Sequence, residues 1–504
     1  MPDTRAPHPP EPSPDEAPVP RPRGGKRRAE GWARTTIPSI AICLILCMLC
    51  KVLIGDTFVL HTSSMEPTMV GRRDGGDRIV LSRLHTEFAD PDRWDVLLFQ
   101  YPNNLSTHYM KRLVGMGGEQ LFIRGGDLWV ADHAWAGSLE EGRRRGRVAI
   151  LRKPGPTRRA FADALPVISQ GELEPFGADA WRRYCAVSKG PSERWTPDDD
   201  SGHVTVETDE PALAHLTREA RDLIPDAMQP ADRMTTARPV SGGAHAVGDL
   251  SFQIDVRPYA DAGSVIVAIA DGVAGVTIRA ELAVDGDVSG GPTRLKLDDR
   301  VIATSHVRLE PGVWSSIRIE NVDDRVRLSL DGADLCVRDY GHPVVPEGAE
   351  ASCPASRVSF GITRGRADMR PISLHRDVHY VAAGQTRFLI PAGEYVFLGD
   401  NTASSSDSRS WRRTAIRVLE TGEILQGDAQ GVTSTSFTLR TGNPWSEPDG
   451  TWRFADRLGN IHSFEDPNEW HEVGTWPTPY VRREWVLGRG MCVLWPLDRF
   501  TWLR

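Results

Sequence analysis

One apolar run constrains this chain more than anything else in it. From Ile37 to Ile54 the sequence reads IPSIAICLILCMLCKVLI, with Lys51 as its single charge. Eighteen residues wound as a helix at ~1.5 Å each reach roughly 27 Å, close to a ~30 Å hydrocarbon core, and Lys51 can extend toward the far interface. Residues 36–54 are therefore expected to form one transmembrane helix. Between Arg21 and Arg34 six basic residues face one acid, Glu30. Positive charge marks the cytoplasmic flank, so residues 1–35 are expected inside and the chain after residue 55 on the outer, periplasmic or extracellular, face of the plasma membrane. A cleaved signal peptide has an apolar core of ~7–15 residues and a small-residue cleavage site. Here Lys51, Asp56 and a strand-like run follow, which favours a retained anchor in contact with membrane lipid. Nine prolines in the first 22 residues make the tail too poor in apolar side chains to fold. The Cys47-x-x-Cys50 pair reads as polarizable residues of a lipid-facing helix rather than a redox motif.

The remaining length leaves room for two to four domains within the 504 residues. A formal charge of −8 and the lack of a basic stripe argue against nucleic acid as a partner. The 47 glycines and 37 prolines point to many turns and short strands, hence a mainly β protein. The 7 cysteines form neither a disulfide framework nor a zinc pattern. Cys336 and Cys353 are the pair to consider for a disulfide outside the membrane.

After the anchor, Thr57–His61 has strand character and leads into Thr62-Ser-Ser-Met-Glu-Pro-Thr-Met69. A serine at the end of a strand is a candidate nucleophile, yet no G-x-S-x-G elbow exists, and His61 and His108 have no acid at a diagnostic spacing. His471-Glu472 is not followed by a second histidine on the same helical face, so no zinc site is expected. The remaining base is lysine, which can serve where burial lowers its pKa. Lys111 lies in the apolar run Tyr109–Val114, ahead of a glycine turn.

Ser64-Met-Glu-Pro-Thr68, Gly76-Asp-Arg-Ile-Val80, Asp95-Val96, Lys111-Arg-Leu-Val-Gly115 with Gly118-Glu119, and Gly399-Asp-Asn401 with Ser405 and Asp407-Ser-Arg409 stand in order behind the apolar run. This series resembles the boxes of type I signal (leader) peptidases, and Trp485–Gly488 with Leu494-Trp-Pro496 resembles that family's closing strand. The resemblance implies a β-rich serine protease without cofactor, with Ser64 as nucleophile and Lys111 as neutral general base. It implies that Thr62 helps the Ser64 backbone N–H form the oxyanion hole and that Ser405 orients the lysine. Asp407 and Arg409 match a structural ion pair, with Asp400 in the same box. The implied reaction removes signal peptides from preproteins after small, Ala-x-Ala-like residues. Two departures stand out: Trp94 occupies the position before Asp95 where glycine is usual, and Thr402 follows Asn401 where arginine is usual.

The protease parts are read as residues 55–125 and 379–504, which leaves a long insertion between them. Residues 126–242 are polar and of unclear fold, with helices expected near 158–167 and 211–223. Asp198-Asp-Asp200 lacks the alternating oxygen ligands of a calcium loop, and no metal site is expected. From 243 to 378 the texture becomes short alternating strands: 250–256, 264–270, 276–282, 293–297, 306–309, 314–320 and 326–330, then the turn Asp331-Gly332. Such spacing predicts a β-sandwich, and Gly312-Val-Trp314 with Arg327–Gly332 resembles concanavalin/laminin-G-like jelly rolls. Sandwiches of that kind take glycan or protein ligands, so a catalytically inert anchored binding module is the alternative reading; intact Ser64 and Lys111 oppose it.

Overall fold

Strand-length runs alternating between two apolar faces account for most of the structure. The computed structural model describes residues 37–43, 45, 57–72, 75–174, 176–222, 245–286, 291–341, 345–346, 349, 352–382, 384–431 and 442–503, and divides into residues 1–54 and 55–504. In the first unit residues 37–43 and 45 are helical and exposed. Among the described residues no helix is long and apolar enough to cross a membrane, and most of the expected span 36–54, with Cys47 and Cys50, lies outside them.

In the second unit an eight-stranded antiparallel sheet runs in the order Thr57–Val59, Arg78–Ser82, Val486–Trp495, Val96–Tyr101, Asn104–Gly115, Glu394–Leu398 and Val481–Arg482, with Thr501–Trp502 added on 486–495. The strand near the C-terminus therefore sits in the middle of the sheet. Period-two alternation turns Leu97, Phe99 and Tyr101 toward a core with Phe397 and Trp411. Val96 and Leu98 turn to the opposite face, against Met65, Ile79 and Met110. A four-stranded sheet follows in the order Arg387–Leu389, Glu119–Arg124, Asp127–Asp132 and Val148–Ile150. The helix Gly155–Ala164, overlapping the expected 158–167, packs Phe161 into the same core as Leu121, Phe388 and Leu398. Two small sheets not anticipated from the sequence are built from 412–418, 424–428 and 470–477, and from 445–446, 452–455 and 461–464.

The insertion forms two packed sheets. One contains Trp195–Asp198, His203–Thr208, Gly365–Arg376, Leu250–Pro258, Ser315–Val322, Arg325–Leu330 and Ala333–Asp339, with Pro166–Ile168 on 365–376. The other contains Arg300–Ser305, Thr293–Leu297, Val276–Ala283, Ser264–Asp271, Arg357–Ile362, Ala212–Leu216 and Cys185–Lys189. Phe252, Ile254, Val265, Val267, Ile317 and Phe360 fill the space between them. Apart from 306–309, the strands expected between 250 and 330 lie close to their expected positions, and Asp331 and Gly332 take φ of 49° and 82°, the two left-handed residues of a tight hairpin.

Three expectations are corrected. Strands from 166 to 216 belong to the same two sheets, so the paired region begins well before 243. Residues 212–216 are a strand rather than a helix, because Ala212, Ala214 and Leu216 alternate inward with period two. The strand expected at 306–309 is instead Arg300–Ser305, since the chain turns back at Asp298 (φ 53°) immediately after Leu297. Cys336 and Cys353 are not joined by a disulfide.

Candidate active site

Ser64 lies in the single 3-10 turn Ser63–Met65, reached directly from the strand 57–59. The turn is held from across the fold. The Asn401 backbone N–H donates to the Ser64 carbonyl at 3.1 Å, and Asn401 Nδ2 donates to the Ser63 carbonyl at 3.1 Å. Lys111 is on the buried half of the strand 104–115, paired with Leu97. Ser64 is 7% exposed and Lys111 4%. Lys111 Nζ donates to Ser64 Oγ, and Thr62 Oγ1 shares a hydrogen bond with the same Oγ at 3.2 Å.

Burial holds the Lys111 ammonium down to about 8. Arg409 pushes the same way, whereas Asp407 and Asp400 oppose it. A lysine in that range has a substantial neutral fraction in mildly alkaline solution, which a general base requires. The chemistry available at this point is proton transfer from a hydroxyl to a buried amine.

Around this pair the last box forms a polar shelf. Asp407, fully buried, accepts from Arg409 Nε at 2.8 Å and Nη2 at 2.6 Å, and from the Gly399 N–H at 3.1 Å. Arg409 also donates to the Val381 and Thr402 carbonyls at 2.9 and 2.8 Å. Asp400 is paired by Arg112, the residue after the lysine, through Nε at 2.8 Å and Nη2 at 2.7 Å, and accepts from Thr68 Oγ1 at 2.6 Å. That fork ties the lysine strand, the serine turn and the shelf together. Ser405 reaches the site's edge: a Cβ on Gly399 would stand 2.2 Å from Ser405 Oγ and 2.4 Å from the Ser64 carbonyl. Its Oγ is buried without a hydrogen-bond partner, so the bond to Lys111 implied by the resemblance is not formed here.

Arg112 and Asn401 were not singled out from the sequence. The signal for Arg112 was present, a second cation inside an apolar strand, which must find a carboxylate if it is buried. The two departures also have local explanations. Trp94 keeps the left-handed backbone a glycine would supply, at φ 78°. Its N–H donates to the Leu113 carbonyl at 2.7 Å, and its own carbonyl accepts from Arg112 Nη1 at 2.7 Å. Thr402 caps the His379 carbonyl at 2.6 Å and leaves Asp400 to Arg112.

Residues 33–169 match the family model "Signal peptidase, peptidase S26". That stretch includes Ser64 and Lys111 and ends before Ser405, Asp407 and Arg409. The Signal peptidase I of Aquifex aeolicus (strain VF5) is 27% identical over 86 residues, 17% of this chain and 32% of that protein. That of Pseudomonas fluorescens is 29% identical over 110 residues, 19% of this chain and 37% of that protein. The chain thus spans about a third of the length of these relatives. Among solved structures, the carbohydrate binding module CBM66 from Bacillus subtilis covers 38% of this chain and 94% of its own at 10% identity, with a TM-score of 0.25, too slight a likeness to carry an argument. The N-terminal third of the chain is similar to signal peptidases.

Proposed function

We propose that the protein is a membrane-anchored serine endopeptidase that removes signal peptides from exported preproteins at the outer face of the membrane. The observation that carries this reading is the buried contact of Lys111 Nζ with Ser64 Oγ beside Thr62 Oγ1. Neutral Lys111 takes the Ser64 proton as Oγ attacks the scissile carbonyl. The Ser64 N–H and the Thr62 hydroxyl receive the developing oxyanion, and Lys111 returns its proton to the leaving amine. Water then adds to the ester with Lys111 again as base, releasing the new carboxylate and restoring Ser64. Asp407 and Arg409 are structural support, Ser405 is a lysine-positioning residue, and the cut follows small, Ala-x-Ala-like residues. The anchor at 36–54 brings the enzyme to the membrane that carries its substrates' own apolar segments.

The test is incubation of detergent-solubilised full-length chain with a labelled precursor carrying an Ala-x-Ala site, with mass spectrometry of the products. A single cut after the second alanine, absent with Ser64→Ala, supports the reading. An intact precursor with folded wild type, or equal cutting by Ser64→Ala, refutes it.

A further inference from the structure

Away from the dyad, the hairpin turn Gly125-Gly126, with φ of 66° and 90°, carries Asp127 against one end of the sandwich. There it meets Asp249, just before the strand 250–258, and Asp323, in the turn between 315–322 and 325–330. Oxygen atoms of the three carboxylates all lie within 4.8 Å of one another. Asp127 and Asp249 border a cavity of about 20 Å³, enough for a single water-sized occupant. The charges around it do not balance. Lys153 pairs with Asp323 at 2.8 Å and Asp377 at 2.9 Å, and Arg143 pairs with Asp324 at 3.3 Å. Among the described residues no cation lies within ion-pair distance of Asp127 or Asp249; the Asp249 carboxylate accepts the Asp323 N–H at 3.0 Å, and its carbonyl the Asp377 N–H at 3.0 Å. Two carboxylates without a close ion pair beside one small cavity are costly to desolvate.

An independent feature points to an occupant. His379, 5% exposed, borders the same cavity, and its Nε2 has no hydrogen-bond partner. The ring packs against Gly126, where a Cβ would stand 2.2 Å from Nδ1, so this glycine is needed for the close approach. A water in the cavity, shared with an ion held among the three carboxylates, would satisfy the orphaned nitrogen.

We propose that Asp127, Asp249 and Asp323 hold a calcium ion that fastens the protease hairpin to the sandwich. Two unpaired carboxylates call for a divalent charge. An all-oxygen set whose members all lie within 4.8 Å of one another suits a hard cation. Magnesium demands near-ideal octahedral geometry at ~2.0–2.1 Å, which three carboxylates from separate turns suit less well than calcium's more flexible coordination. The three ligands are too far apart in sequence to form a spacing motif, which is why the sequence led to no metal site.

The test is calorimetry and thermal unfolding of full-length, chelator-stripped protein titrated with CaCl2, with MgCl2 in parallel. The expected result is one calcium bound per chain, a midpoint raised by several degrees, and affinity at least about tenfold weaker in Asp127→Asn and Asp249→Asn. Folded wild type that binds no calcium, binds magnesium equally well, or loses nothing in a folded Asn variant overturns the proposal. The wild-type titration decides even where a variant fails to fold, and none of these readouts depends on peptidase activity.

Discussion

At the residue scale function and stability pull one lysine, Lys111, in opposite directions. The Lys111 pKa falls from 10.5 to about 8 because the ammonium is buried. A basic group depressed in the folded state costs stability wherever it is protonated: the cost is absent above the unfolded pKa, develops as pH falls, and is complete below the folded one. A shift of this size corresponds to about 3 kcal/mol at neutral pH. Lys111→Met is therefore expected to raise the urea midpoint at pH 7 while slowing precursor cleavage by about 10²–10⁴-fold. Lys111→Arg should be equally inactive, since a guanidinium stays protonated. Thr62→Ala tests the oxyanion role: kcat should fall by up to about 10²–10³ with the unfolding midpoint nearly unchanged. A fall in stability without a fall in kcat would make Thr62 structural only. The two central residues were legible in the sequence because each sits in a short box whose neighbours fix its setting. Ser405 was legible as a position, but its hydrogen bonding depends on the rotamers of a site without substrate.

At the element scale, the turn before the strand 96–101 and the fork under the lysine strand hold the elements that carry Ser64 and Lys111. Left-handed backbone at a bulky residue such as Trp94 costs about 1–3 kcal/mol, against about 3–5 kcal/mol for truncating a buried aromatic. The indole is 4% exposed, so packing wins and Trp94→Gly should destabilise the protein despite relieving the strain, as chemical denaturation would report. Arg112→Ala leaves Asp400 buried and unpaired, and the expected loss is about 3–5 kcal/mol together with the cleavage activity. The double change Arg112→Met with Asp400→Leu should recover most of that stability. If Arg112→Ala unfolds like wild type, the fork does not organise the site. Neither feature was read from the sequence, because a positive φ and a pair joining residues 112 and 400 exist only once the sheet is formed.

At the scale of the whole molecule, the insertion leaves and rejoins the protease part at neighbouring points. The Arg376 N–H donates to the Leu165 carbonyl at 3.1 Å, and Gly126 bridges Tyr380. The named partners of Ser64, Lys111, Asp400 and Asp407 fall outside 166–376. The strands from 250 to 330 were legible because long alternating runs and a D-G turn announce them. The strands at 185–216 were not, since each is short, lies among helices, and gains its character only from partners such as 357–362. The proposed Ser64–Lys111 pair is tested most directly by the pH dependence of kcat/KM for precursor cleavage by the full-length chain. With Lys111 as base, the rate climbs with pH through a midpoint near the lysine's value of about 8 and levels off above it. A profile that is flat from pH 6 to 9, or that Lys111→Met reproduces, would contradict the Ser64–Lys111 dyad.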